Sequence, residues 1–175
     1  VIGPVARIAT IGVYGFDGER FVETLDEAGV TLVVDVRQRR GVRGAQYAWA
    51  NARRLQQRLA DNRIRYVHHE ELAPTTELRE LQYRADAGEG VGKRSRETLS
   101  PEYVARYTAE ILDRAPLTPL LDELPVHGRG ALLCVETAAA ACHRSLIARR
   151  LAERHGFEVE HLGDQDAGPL PPPLL

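Results

Sequence analysis

The sequence predicts an α/β fold: a single domain with a mostly parallel sheet flanked by helices on both faces, in the Rossmann-like manner. Two observations point there first. Thr31 to Val36 and Ala131 to Val135 are β-branched or apolar runs without alternation, as strands covered on both faces must be. Stretches with apolar residues at helical spacing separate such runs, so strand and helix alternate along the chain. Length is the third: 175 residues fit one domain and bury a core on both sides of a sheet. That core is expected over about residues 7–162, followed by an irregular, Pro-rich tail over 163–175.

Taken in order, Arg7 to Gly12 reads as a buried strand ending in glycine. Phe16 to Ala28 follows as a helix on Phe21, Val22, Leu25 and Ala28, stopped by Gly29. Thr31 to Val36 is the second strand, with Asp35 and Arg37 at its end. Residues 38–47, where Gly41 and Gly44 stand among arginines, have no period and are expected to be a loop. Ala48 to Asn62 repeats helical spacing through Leu55 and Leu59, and Ile64 to His68 is a third strand. From Leu72 to Gly92, Pro74 and three glycines surround a short helical stretch at Glu77 to Tyr83, and the segment is expected to be an insertion or mobile loop. Ser100-Pro101-Glu102 opens a helix with proline at its first position, and Tyr103, Tyr107 and Ile111 mark its buried stripe. Leu117 to Leu124 is another short helix. After Gly128 and Gly130 come the Cys134 strand, a helix that turns Leu146, Ile147 and Leu151 inward, and a last strand over Phe157 to His161. Crossovers between parallel strands should be right-handed; the order of the strands is not dictated, nor is the oligomeric state.

A formal net charge of −2 argues against a protein that coats nucleic acid or membrane indiscriminately. The charge is unevenly spread. Arginines stand at 37, 39, 40, 43, 53, 54, 58, 63 and 65 against the single acid Asp61, and Lys93-Arg94-Ser95-Arg96 is a second basic knot, so local positive surface is expected. Only two cysteines occur, with no disulfide framework and no signal-peptide pattern before Ile8, which predicts a reduced, cytoplasmic protein. No apolar run approaches the length of a bilayer span, so no membrane partner is expected.

Chemistry concentrates in residues 131–151. Cys134 and Glu136 are two apart at the end of a strand and share a face, at the rim where open α/β sheets place ligands. Cys142, His143 and Arg144 then open a helix, whose free N–H groups and positive dipole end favour anions. Helix terminus, His143 and Arg144 together suit a thiolate at Cys142, whereas the apolar strand around Cys134 should raise its pKa. The plainer alternative makes Cys134 core and Cys142 a helix-cap neighbour. Zinc is the rival use of the same atoms, with Cys134, Cys142 and either His143 or His68 as soft ligands. The spacing has no C-x-x-C or H-x-x-x-H pair, adjacent Cys142 and His143 are not expected to hold one ion together, and no metal is expected.

Other candidates gather at the same rim. Arg37 offers a planar fork for phosphate or carboxylate, or a buried ion pair with Asp35. His68 is a general acid or base, or merely satisfies a backbone group. Tyr14, past the first strand's glycine, enters the same mouth or is core. The stretch 37–65, with Tyr47 and Trp49, suits a phosphate backbone with base stacking, although Arg53, Arg54 and Arg58 have the spacing of a solvated helix face.

Jointly these residues resemble the family known as domain of unknown function 488. The matching features are Thr10-Ile11-Gly12, Asp35-Val36-Arg37, Ile64-x-Tyr66-x-His68 running into Glu71-Leu72, and Leu133-Cys134-x-Glu136 followed by Cys142-His143-Arg144-Ser145. They run in order from about Thr10 to Leu162. Where many relatives have a His-Ser or Tyr-Glu pair after the Thr-Ile-Gly, this chain has Val13-Tyr14. The family carries no established activity, so the resemblance implies the fold and the site more than a reaction.

The resulting expectation is an enzyme acting on an anionic, nucleotide-like or nucleic-acid substrate. Catalytic roles fall to Cys142, His143, Glu136 and His68, and substrate contacts to Arg37, Arg144, Asp35, Tyr14 and Cys134. With no dinucleotide glycine fingerprint, hydrolysis or group transfer is expected in preference to redox chemistry, and no cofactor. The alternative is a nucleic-acid-binding module that uses residues 37–65 and keeps the cysteines for structure.

Overall fold

Among the described residues the chain forms five parallel strands, β1 (Arg7–Gly12), β2 (Val30–Asp35), β3 (Arg65–His68), β4 (Arg129–Cys134) and β5 (Glu158–Leu162), in the order β3-β2-β4-β1-β5. The structure is a computed structural model and describes residues 4–163. The residues expected to form a Pro-rich tail lie outside the described residues from 164 onward. β4 is buried at every position, since it has strands on both sides and helices above and below.

Among the described residues six α-helices flank the sheet: α1 (Gly18–Glu27), α2 (Ala52–Asp61), α3 (Thr76–Glu89), α4 (Pro101–Tyr107), α5 (Thr118–Glu123) and α6 (His143–His155). α1 and α2 both meet a 3₁₀ turn at Ala45–Ala50, while α4 packs against α3 and α6. Right-handed crossovers give this division, because the path β1 to β2 to β3 moves one way across the sheet and β3 to β4 to β5 returns. β4 therefore sends its chain to one face while its neighbours β1 and β2 send theirs to the other. This reversal opens a crevice at the carboxyl end of β4.

Several boundaries differ from those expected. Residues 72–92 are not a mobile loop: α3 fills fourteen of them, started by the Thr75 side chain accepting from the Leu78 N–H and ended by Gly90 at φ 69°. Glycine there is the αL cap that closes a helix. The loop of 38–47 ends early, at the 3₁₀ turn, and α2 starts at Ala52 instead of Ala48. α4 continues through a π-helical turn, Thr108–Leu112, and β5 sits one residue later than expected.

At the exit of β3, His69 is held between two carboxylates: Nδ1 lies 2.6 Å from Glu71 Oε1 and Nε2 2.9 Å from Glu123 Oε2, tying this corner to α5. Carboxylates only accept, so both ring nitrogens donate and the ring is cationic. Burial lowers its pKa, but the bonds to Glu123 and Glu71 outweigh it and the net direction is up. A raised folded pKa gives stability that is complete below the unfolded value of about 6.5 and fades as pH climbs through the folded one. Urea midpoints measured from pH 5.5 to 9 should therefore fall more steeply for the native chain than for His69→Gln. Parallel slopes would count against the clamp.

Candidate active site

The carboxyl end of β4 and the start of α6 bring two thiols and an imidazole together. Cys134 closes β4. A short 3₁₀ turn, Ala139–Ala141, folds the chain back, so that Cys142 becomes the N-cap of α6. His143 Nδ1 lies 3.8 Å from Cys134 Sγ and 3.8 Å from Cys142 Sγ. Its Nε2 donates to the Val36 carbonyl at 2.8 Å, and the ring packs on Tyr107. Since a carbonyl can only accept, the neutral ring carries its proton on Nε2 and aims a lone pair at the sulfurs.

The two thiols are pushed apart in acidity. Burial raises Cys142, but the hydrogen bond with Cys134 and the positive charge of His143 and Arg144 outweigh it and hold Cys142 well below the ordinary thiol range. The bond to Cys142, then burial, drives Cys134 well above it. His143 moves the other way: burial lowers its pKa, yet the Cys142 thiolate beside it carries the balance upward. The two shifts favour passing the Cys142 proton to the Nδ1 lone pair of His143 at the helix N-terminus, the transfer that activates reactive cysteines.

Glu136 completes the cluster. It is buried, its Oε2 accepts from Cys134 Sγ at 3.6 Å, and its Oε1 accepts from Arg96 Nη2 at 2.9 Å with Lys93 Nζ at 4.0 Å. Burial and the nearby Cys142 thiolate push its carboxyl above the usual range against the pull of Lys93 and Arg96. Arg96, only 8% exposed, also binds Asp86 at 2.7 Å and the Ala141 carbonyl at 3.2 Å. Positive surface was expected at 93–96, but Arg96 is turned inward. Its acceptors lie 10 and 40 residues away on other elements, beyond the reach of spacing arguments.

Cys134, Glu136, Cys142 and His143 line a cavity of about 460 Å³, within the range of small-molecule sites. Its walls add Arg39, Arg43, Arg79 and Lys93 from the loops and α3, together with Tyr14, Tyr83 and Tyr103. At the mouth, Arg94 lies 5.2 Å from the Tyr14 ring centre and 5.5 Å from that of Tyr47, and the two rings stand 5.2 Å apart.

The arginines singled out from sequence are engaged in the fold. Arg37 lines the cavity, but its Nε and Nη2 bind the two oxygens of Asp35 at 2.9 and 2.8 Å and its Nη1 binds the Ala50 carbonyl. Asp35 also accepts from the Arg37 N–H and the Tyr66 hydroxyl; burial and this carboxylate push Tyr66 up to about 12. Arg144, fully buried, spends Nε on Thr10 and its two Nη groups on the Glu136 and Thr137 carbonyls, and is not among the cavity-lining residues. His68 is likewise outside that lining, its Nε2 donating to the Arg37 carbonyl at 2.9 Å. The cleft thus unites Arg37, Cys134, Glu136, Cys142, His143 and Tyr14, with Asp35, Arg144 and His68 holding its frame.

Adjacent Cys142 and His143 were not expected to hold one ion together; Cys142 has extended φ and ψ, −138° and 145°, and its Sγ lies 3.8 Å from His143 Nδ1. Cys134 Sγ, Cys142 Sγ and His143 Nδ1 all lie within 4.8 Å of one another.

Fold and cluster together define an α/β domain with a buried thiol–imidazole pair at the carboxyl rim of a parallel sheet. Residues 17–151 match the family model described as Domain of unknown function DUF488, and the chain belongs to that family. The match begins after Thr10-Ile11-Gly12 and ends before β5, so those parts of the likeness lie outside it. Searches of the curated proteins and of the solved structures give no match. No helix among the described residues is long and apolar enough to cross a membrane.

Proposed function

We propose that the protein is a thiol-dependent enzyme, a hydrolase or group transferase acting on an anionic, nucleotide-like substrate. The observation that carries this reading is the Cys142 thiol, held below its ordinary pKa beside His143 at the N-terminus of α6 and lining a cavity with cationic walls. Arg39, Arg43 and Lys93 hold the negative charge of the substrate, and Tyr14 and Tyr47 offer faces for a base. The Cys142 thiolate bonds to the electrophilic centre as the leaving group departs with a proton from His143 or Glu136. Water or an acceptor hydroxyl then attacks the same centre, gives its proton back to His143 or Glu136, and breaks the bond to sulfur to restore the thiolate. Glu136, whose carboxyl is pushed above the usual range by burial and the Cys142 thiolate, is placed to share in that proton transfer.

The test needs no substrate. Iodoacetamide should alkylate Cys142 at a rate that persists down to about pH 6, where a free cysteine with a pKa of about 8.5 has almost stopped. Peptide mapping should place the label on Cys142 and not Cys134, and Cys142→Ser should abolish it. A rate that falls with an ordinary thiol pKa would sink the reading.

A nucleic-acid-binding module is the second reading. The observation favouring it is an open depression along β3 and α2 lined by Arg40, Arg53, Arg63 and Arg65 with no acidic residue. This role would leave the Cys142→Ser protein fully competent.

A further inference from the structure

We infer that Cys134, Cys142 and His143 form a three-ligand site for a zinc-like divalent cation, which caps the reactive thiol when bound. The capping part rests on the reading of Cys142 as the nucleophile; the site itself does not.

The ligand atoms are already close to the spacing that such an ion imposes. With Zn–S bonds of about 2.3 Å and Zn–N bonds of about 2.0 Å, tetrahedral geometry sets sulfur and nitrogen about 3.5 Å apart. Both sulfurs lie 3.8 Å from His143 Nδ1, and all three atoms fall within 4.8 Å of one another. Closing the site brings each sulfur–nitrogen pair in by about 0.3 Å and the two sulfurs, now within 4.8 Å, to the roughly 3.8 Å that the same geometry sets.

The chemistry of the donors agrees. Two thiolates and an imidazole are soft and borderline ligands, suited to zinc and not to calcium or magnesium. The imidazole is also oriented as a ligating one must be. Its Nε2 donates to the Val36 carbonyl, which fixes the ring and leaves Nδ1 to bond the metal. β4 fixes Cys134 and the first turn of α6 fixes Cys142 and His143, so the ligands sit on rigid elements. Among the described residues three ligands converge, and all three line the cavity, so the fourth position is filled from there by water or by a substrate atom.

Binding forms two Zn–S bonds and one Zn–N bond. The proton on Cys134 and any on Cys142 or His143 Nδ1 pass to solvent, and no electron is transferred. Two thiolates balance the charge of the ion. The Cys142 lone pair is then committed to the metal and cannot attack an electrophile.

The experiment titrates zinc alone into the full chain against a competing chelating dye, and in parallel measures iodoacetamide alkylation of Cys142. One equivalent should bind, the alkylation rate should fall at least about tenfold, and a chelator should restore it. Cobalt in place of zinc should give thiolate-to-metal charge-transfer absorption. Cys134→Ser and His143→Gln, with folding verified by circular dichroism, should each weaken binding at least about a hundredfold. Absence of a bound equivalent, or binding unchanged in both variants, would overturn the site. The two readings fail separately. A fast Cys142 whose rate zinc leaves unchanged removes the cap and spares the enzyme. A Cys142 no faster than free cysteine in a chain that binds one zinc through Cys134 removes the enzyme and spares the site.

Discussion

Replacing Asp35 by alanine should cost about 3–5 kcal/mol of stability, because it leaves a guanidinium with no counter-charge in the interior. Asp35 is fully buried and Arg37 is 2% exposed. The carboxylate accepts four bonds, from the Arg37 backbone, Nε and Nη2 and from the Tyr66 hydroxyl. Alanine removes all four at once and leaves the buried Arg37 guanidinium bound to the Ala50 carbonyl, which carries no charge to offset it. The size of the penalty reflects the orphaned charge more than the worth of the pair. Asp35→Ala combined with Arg37→Met should therefore recover roughly half of the loss, since a buried ion pair exchanged for apolar groups is often neutral. Urea denaturation of the native chain, Asp35→Ala, Arg37→Met and the double variant is the measurement. If the double variant is as unstable as the two single losses added together, the pair is not coupled as described.

The second large effect is expected at Gly12, where β1 ends against the backbone that follows β4. A Cβ there would sit 1.9 Å from the Glu136 carbonyl oxygen and 2.8 Å from its carbon, distances that no rotation relieves because both partners are main chain. The same carbonyl accepts from Arg144 Nη1 at 2.7 Å, so pushing it away also breaks the buried arginine's grip. Gly12→Ala should lose at least about 2–3 kcal/mol. Any protein that still folds should have Glu136 displaced and Cys142 alkylated with an altered pH profile. A stable Gly12→Ala variant with native Cys142 kinetics would show that β1 does not press on the site as described.

Much of this molecule was legible from residue type. β-branched runs marked the strands, and the two-residue alternation correctly put Cys134 and Glu136 on one side, as their 3.6 Å contact shows. Gly90 was misread: among the glycines of 88–92 it looks like a loop, and only its φ of 69° identifies it as a helix cap. Arg144 illustrates a deeper obstacle. Two of its three partners are backbone carbonyls, which every residue carries, so nothing in the side-chain pattern distinguishes an arginine that binds a ligand from one that braces a turn. Arg96 escaped for the opposite reason, its acids being distant in sequence.

The order of strands has a consequence during synthesis. β1 pairs only with β4 and β5, both from the last third of the chain, whereas β2 and β3 pair directly across α2. At roughly 5–20 residues per second, β1 waits about 6–25 s after emerging from the ribosome before β4 exists to receive it. The β2–α2–β3 half can dock meanwhile, but its other edge stays bare. The nascent chain thus carries three unpaired edges for seconds, both of β1 and one of β2, and the reactive centre is assembled only when α6 arrives.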